Sequence, residues 1–171
     1  MIDMAKTDSF FIRASVDFNG TTFAQTAIDC GAYVDALGKS VLRLHNLSVA
    51  WGEGSEDVNA PTGLDVINRF QLTTQSQGDM VKITDKSVIA SGAIQAGGVT
   101  GGTENAYVSQ SMDIAPQHWT NGYLVGVEQI YLGVDSNNAS ALGLTSCSII
   151  LECTVETLSS SAAMALALSQ Q

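Results

Sequence analysis

A two-residue alternation of oily and polar side chains over Gly122 to Glu156 constrains this chain more than any other feature. Leu124, Gly126, Glu128, Ile130, Leu132 and Val134 alternate with Tyr123, Val125, Val127, Gln129 and Tyr131. Further on, Thr145, Cys147, Ile149, Leu151, Cys153 and Val155 alternate with the polar set Ser146, Ser148, Glu152 and Glu156. A period of two sends successive side chains to opposite faces of a strand, so the second run has one apolar and one wet face. Asp135-Ser136-Asn137-Asn138 offers short polar side chains suited to a tight turn. The pattern therefore predicts one long hairpin. Such a hairpin is not stable alone and needs a second sheet across its oily side.

The same period recurs upstream. Over Phe11 to Phe18, Ile12, Ala14, Val16 and Phe18 point inward while Phe11, Arg13, Ser15 and Asp17 point outward. Asn19-Gly20 signals a type I′ turn, with Thr21 to Ile28 returning as its hairpin partner. Val41 to Trp51 carries Leu42, Leu44 and Ala50 on one face. Its other face carries Val41, Leu47, Val49 and Trp51 with Arg43 and His45, and apolar residues on both faces predict a central strand. Cys30 to Gly38 is a bounded segment with room for one helical turn. Leu64 to Thr74 and Ala106 to Ile114 read as further strands, Met80 to Ile83 as a short one, and Lys86 to Ala96 as a strand or short helix. Gly97-Gly98 and Gly101-Gly102 bracket a mobile loop. Some eight strands without regular strand–helix alternation predict an all-β, antiparallel two-sheet sandwich. No repeat of fixed period suggests a propeller or solenoid.

At 171 residues the chain forms one domain, large enough to bury roughly 70 % of its extended surface without staples. The sandwich is expected over residues 9–157, between a flexible arm at 1–8 and a tail at 158–171. In that tail Ala162, Ala163, Ala165, Leu166, Ala167 and Leu168 favour a helix without side-chain charge. It is expected to dock on its own domain or on a neighbouring copy.

Net charge is −10, and every cation (Lys6, Arg13, Lys39, Arg43, Arg69, Lys82, Lys86) precedes residue 87. A surface that grips phosphates needs clustered Lys and Arg, so tight direct binding of nucleic acid is not expected. Cys147 and Cys153 share one face of a strand about 20 Å apart, beyond the roughly 7 Å that a disulfide spans. Cys30 can join one of them only if the fold brings it there, and all three are expected to be buried free thiols. Met1 to Asp8 is polar and predicts no signal peptide, and no run has the length of a membrane span.

Strand order, chain length and composition together resemble the single jelly-roll capsid proteins of small icosahedral viruses. The likeness rests on Ile28-Asp29-Cys30-Gly31-Ala32-Tyr33-Val34-Asp35 through Val49 and on residues 122–156, about a third of the chain. It implies jelly-roll topology, a place in the virion, and copies of itself and other shell proteins as partners. Many such proteins carry a basic N-terminal arm, which this chain lacks. It is similar rather than identical in plan to shells that enclose an inner membrane or another protein layer.

Few residues suggest chemistry. His45 sits mid-strand and His118 beside Trp119 in a loop, and neither adjoins a nucleophile motif. No zinc spacing occurs. Glu53, Glu56 and Asp57, with Asp65 in reach, are the weak metal candidates, offering hard oxygens to a structural Ca²⁺. Glu128 and Glu152 lie on facing strands of the predicted hairpin, which makes a glycosidase pair conceivable, but outward, solvated positions are the expectation for both. The glycines at 97, 98, 101 and 102 lack the following Gly-Lys of a phosphate cradle. Asn19, Asn46 and Asn138 begin glycosylation sequons, of which Asn19 and Asn138 are sterically reasonable if the protein is exported. The expectation is a self-assembling, non-enzymatic shell protein without a cofactor. The rival is an extracellular carbohydrate-binding sandwich using Trp51, Tyr107, Trp119, Tyr123 and Tyr131, or a subunit of a surface filament.

Overall fold

The computed structural model describes residues 7–35, 39–52, 58, 60–102, 104–139 and 144–171. Among them run strands β1 (Phe10–Phe18), β2 (Ala24–Asp29), β3 (Ser40–Trp51), β4 (Asp65–Thr73) and β5 (Val88–Gly98). Then come β6 (Asn105–Ile114), a 3₁₀ turn (Pro116–His118), β7 (Tyr123–Val125), β8 (Gln129–Ser136), β9 (Thr145–Thr157) and helix α1 (Ser160–Ser169). The strands form two antiparallel sheets, ordered β1-β9-β3-β7 and β2-β8-β4-β5-β6. Pairs nest inside one another: β1 with β9, β2 with β8, β3 with β7, β4 with β5. A long hairpin wound into two facing sheets is the jelly roll, and β6 is an extra strand laid against β5.

Two predicted hairpins are absent. β8 pairs with β2 and β4, whereas β9 lies in the other sheet between β1 and β3, so the run over 122–156 crosses the sandwich. That run also breaks after Val125, since β7 and β8 belong to different sheets. Gly20 takes the positive φ of 65° that an Asn-Gly turn favours, yet β1 and β2 likewise part into separate sheets. The physical reason is common to both cases. A period of two states which face of a strand is oily, not which strand lies beside it. Two consecutive strands that face each other across a core satisfy the same pattern as two that pair.

β3 shows how one extra residue settles an ambiguous pattern. Its register with β9 shifts between Leu44 and Asn46, a bulge that turns the following residues over. Leu42 and Leu44 before the bulge and Leu47 and Trp51 after it therefore share one core, with Val49 packed against it. Ala50, predicted to share a face with Leu42, is exposed. Phe70 and Leu72 of β4, Ile130 and Leu132 of β8, and Ile149 and Leu151 of β9 complete the centre with at most 1 % of their surface exposed. Each such side chain contributes about 1.5–3 kcal/mol by leaving water.

Other expectations are corrected. Met80–Ile83 is not a strand: the Gln71 side-chain amide accepts from Val81 N–H and donates to its carbonyl, occupying the groups a ladder would use. Lys86–Ala96 resolves as the strand β5. Gly97 and Gly98 belong to that strand rather than to a loop, and the ring of Tyr107 lies directly over Gly97, where a Cβ would come within 2.2 Å of it. Ser146 and Glu156, assigned to the wet face of β9, are buried. Thr7 joins the sheet by donating its N–H to Val155 and accepting from Val155 N–H through Oγ1.

The predicted helix forms and docks on its own domain. Ser159 caps α1 by accepting from Ala162 N–H, and Ala163 and Ala167 are its buried residues. Its last turn rests on Gly126, where an added Cβ would lie 3.0 Å from Leu166 Cγ and 3.2 Å from Ala167 N.

Candidate functional site

One cleft lies where the β7–β8 turn, the end of β4 and the end of α1 meet. It holds about 540 Å³ and is lined by Thr74, Gln75, Ser76, Gly126–Gln129, Tyr131 and Gln171. Gln170 builds its wall. The Gln170 side chain accepts from Gly126 N–H at 2.8 Å and donates to the Leu124 carbonyl at 2.7 Å. Its backbone carbonyl accepts from Thr74 Oγ1 and Gln75 Nε2. Tyr123, whose hydroxyl accepts from Gln170 Nε2, has its pKa raised chiefly by burial. These bonds join the C-terminal end of α1 to β4 and to the β7–β8 turn, contacts that the alanine-rich sequence does not announce. Gln170 was accordingly missed as a positioning residue.

Among the described residues, Glu128 is the one carboxylate side chain on that cleft, and no histidine or thiol lines it. Neutral amides and hydroxyls share its lining with Gly126, Val127 and one aromatic, Tyr131. A second, smaller groove of about 300 Å³ lies on the outer face of the first sheet. Phe11, Asn46, Leu47, Ser48, Gln117, Ile150 and Glu152 line it. Gln117 there accepts from Leu47 N–H and donates to the Leu47 carbonyl, covering backbone that β7 is too short to pair. Glu152 accepts from Asn46 Nδ2. Glu128, in the turn between β7 and β8, and Glu152, on β9, thus belong to separate hollows, and a shared glycosidase centre does not form.

The remaining candidates disperse as well. Glu53, Glu56 and Asp57 lie outside the described residues. Asp65 is exposed at the first residue of β4, where its carbonyl accepts from Asn138 Nδ2. Among the described residues, no three His, Cys, Asp or Glu side chains gather as a metal would require. His45 hydrogen-bonds Thr154 Oγ1 at 2.9 Å, and His118 is exposed in the 3₁₀ turn. Asn46, in the central strand β3, is exposed just after the bulge.

No match arises from a comparison with protein-family models or with curated proteins. The fold and its surfaces carry the functional reading instead.

Among the aromatics, Trp51 is buried with its ring centroid 6.1 Å from Phe18 and 6.2 Å from Phe70. Tyr107, Tyr123 and Tyr131 stand on β6, β7 and β8, and Trp119 follows the 3₁₀ turn. They form no row on one sheet, as a stacking platform for sugar would.

The three cysteines are free and buried, as the sequence predicted. Burial pushes Cys30 up to about 11, aided by Asp29, and Cys147 and Cys153 up to about 12. Thiolates are the reactive form, so these thiols are inert in the folded protein at neutral pH. The expected result with an aromatic disulfide reagent is no reaction in buffer and three thiols per chain in denaturant. Fast reaction of any one in buffer would contradict the packing.

Proposed function

We propose that this chain is a structural subunit that assembles with copies of itself into a closed shell, as the major capsid protein of an icosahedral virus. One observation carries the reading: large apolar side chains are exposed on three different parts of the surface. Phe11 and Ile150 lie on the outer face of the first sheet, and Leu64, Val99, Tyr107 and Val108 lie around the β5–β6 end. Met164 and Leu168 lie on α1. A closed assembly needs several distinct contacts per subunit, whereas a ligand-binding module needs one concave site. Jelly-roll topology and sparse charge support the same reading, because few charges need be desolvated when lateral surfaces are buried.

The chain has 17 acidic against 7 basic residues, so its partners would be other copies and shell proteins rather than the genome. A membrane or second protein layer would then lie inside the shell. No described helix is long and apolar enough to cross a membrane. The purified chain is expected to yield closed particles of uniform size by negative-stain electron microscopy. A monodisperse 17.9 kDa monomer at high concentration, indifferent to salt and pH, would overturn the proposal.

A further inference from the structure

The sandwich has four sheet edges, and they are not equally protected. β7 spans three residues and β2 six. β1 carries Arg13 and Asp17 along its nine. β6 runs for ten residues, exposed from Ala106 to Ser111, with no charge between Asn105 and Met112 and no Pro or Gly. Soluble proteins blunt long edges with charge, proline or bulges, because alternate N–H and C=O groups there invite another strand. On β6 the register slips only at the two ends, next to Gly92 and Gly98, and the pairing between them is continuous. No described residue pairs with its outer side. Val108, on the same face as the partly buried Met112, keeps 51 % of its surface in water.

We propose that β6 pairs with β6 of a second copy, antiparallel about a two-fold axis at Ser109, joining two sheets into one ten-stranded surface. The occupant is a second copy because the strand is complementary to itself. Pairing about Ser109 sets Val108 opposite Gln110 and Tyr107 opposite Ser111. It sets the flanking acids Glu104 and Asp113 opposite Ile114 and Asn105, so no like charges meet. A partner strand also covers part of the exposed surface of Val108. The proposal deepens the assembly reading by naming one of its contacts.

Cysteine placed on the axis tests it. Opposed residues in an antiparallel pair have Cα atoms about 4.5–5.5 Å apart, within disulfide reach. Ser109→Cys, with the native thiols buried, is expected to form a covalent dimer under mild oxidation. Ser15→Cys on the β1 edge is expected to stay monomeric. Ser109→Lys sets two ammonium groups face to face and is expected to weaken self-association about tenfold, equivalent to about 1.4 kcal/mol. Since Ser109 is exposed, both variants should melt at the wild-type temperature. Equal cross-linking at 15 and 109, no cross-link at 109, or a 109 cross-link to another protein alone would overturn the pairing. Particles that form without the 109 cross-link would sink this contact and leave the shell standing. A 109 dimer that never closes into particles would do the reverse.

Discussion

Arg43→Ala is expected to destabilise the protein by about 3–5 kcal/mol, the cost of taking the guanidinium out of a buried ion pair. The guanidinium meets Glu156 with two bonds, Nε to Oε1 at 2.6 Å and Nη2 to Oε2 at 2.7 Å. Side-chain exposure is 15 % for Arg43 and 0 % for Glu156, so the carboxylate stays shielded from water when the guanidinium is removed. Arg43 also donates from Nη1 to the Asn121 carbonyl, tying the approach to β7. Urea unfolding of wild type and variant at equal slope measures the effect. A loss below about 1 kcal/mol would mean the pair behaves as a surface bridge. The double replacement Arg43→Met with Glu156→Leu is expected to recover most of the loss, since matched apolar groups avoid the desolvation penalty.

Gly122→Ala is the second large effect, expected at about 2–4 kcal/mol. Gly122 has φ 63°, and a Cβ there would stand 2.1 Å from the Leu44 carbonyl oxygen. Left-handed backbone costs an alanine about 1–2 kcal/mol before any collision. The collision must then open the short ladder in which Leu42, Arg43 and Leu44 face Val125, Leu124 and Tyr123. Each net hydrogen bond lost adds about 1 kcal/mol. Gly101→Ala separates the two causes, because Gly101 has φ 81° with nothing within 4 Å of an added Cβ. It should cost the backbone strain alone. Equal losses at 101 and 122 would show that contact with β3 is irrelevant, and thermal melts with amide exchange at Tyr123–Val125 would read the difference.

Both effects sit where the sequence is least informative. Arg43 and Glu156 are separated by more than a hundred positions and meet because β3 and β9 pair. Glu156 follows Cys153 and Val155 in a pattern that marks it as wet, and only the packing outside that face buries it. Gly122 reads locally as part of a strand, and its close approach to Leu44 exists only once β7 lies on β3. The candidate sites behave alike. Gln117 and Gln170 hold backbone across the sandwich, while Glu128 and Glu152, linked on paper by a hairpin, open into different hollows.

By itself the sequence determined the class of fold, the inward set of β1 and of β9's cysteines, and the helix at the tail. Those follow from side-chain period and local propensity, which act between near neighbours. Pairing partners, the bulge that turns β3 over, and the separation of consecutive strands into facing sheets were decided only in three dimensions. One oily face can be covered either by a neighbour's core across the sandwich or beside a partner in the sheet, and local pattern has the same form in both. The exposed, uncharged edge of β6 became visible only once the strand order left it at the end of its sheet.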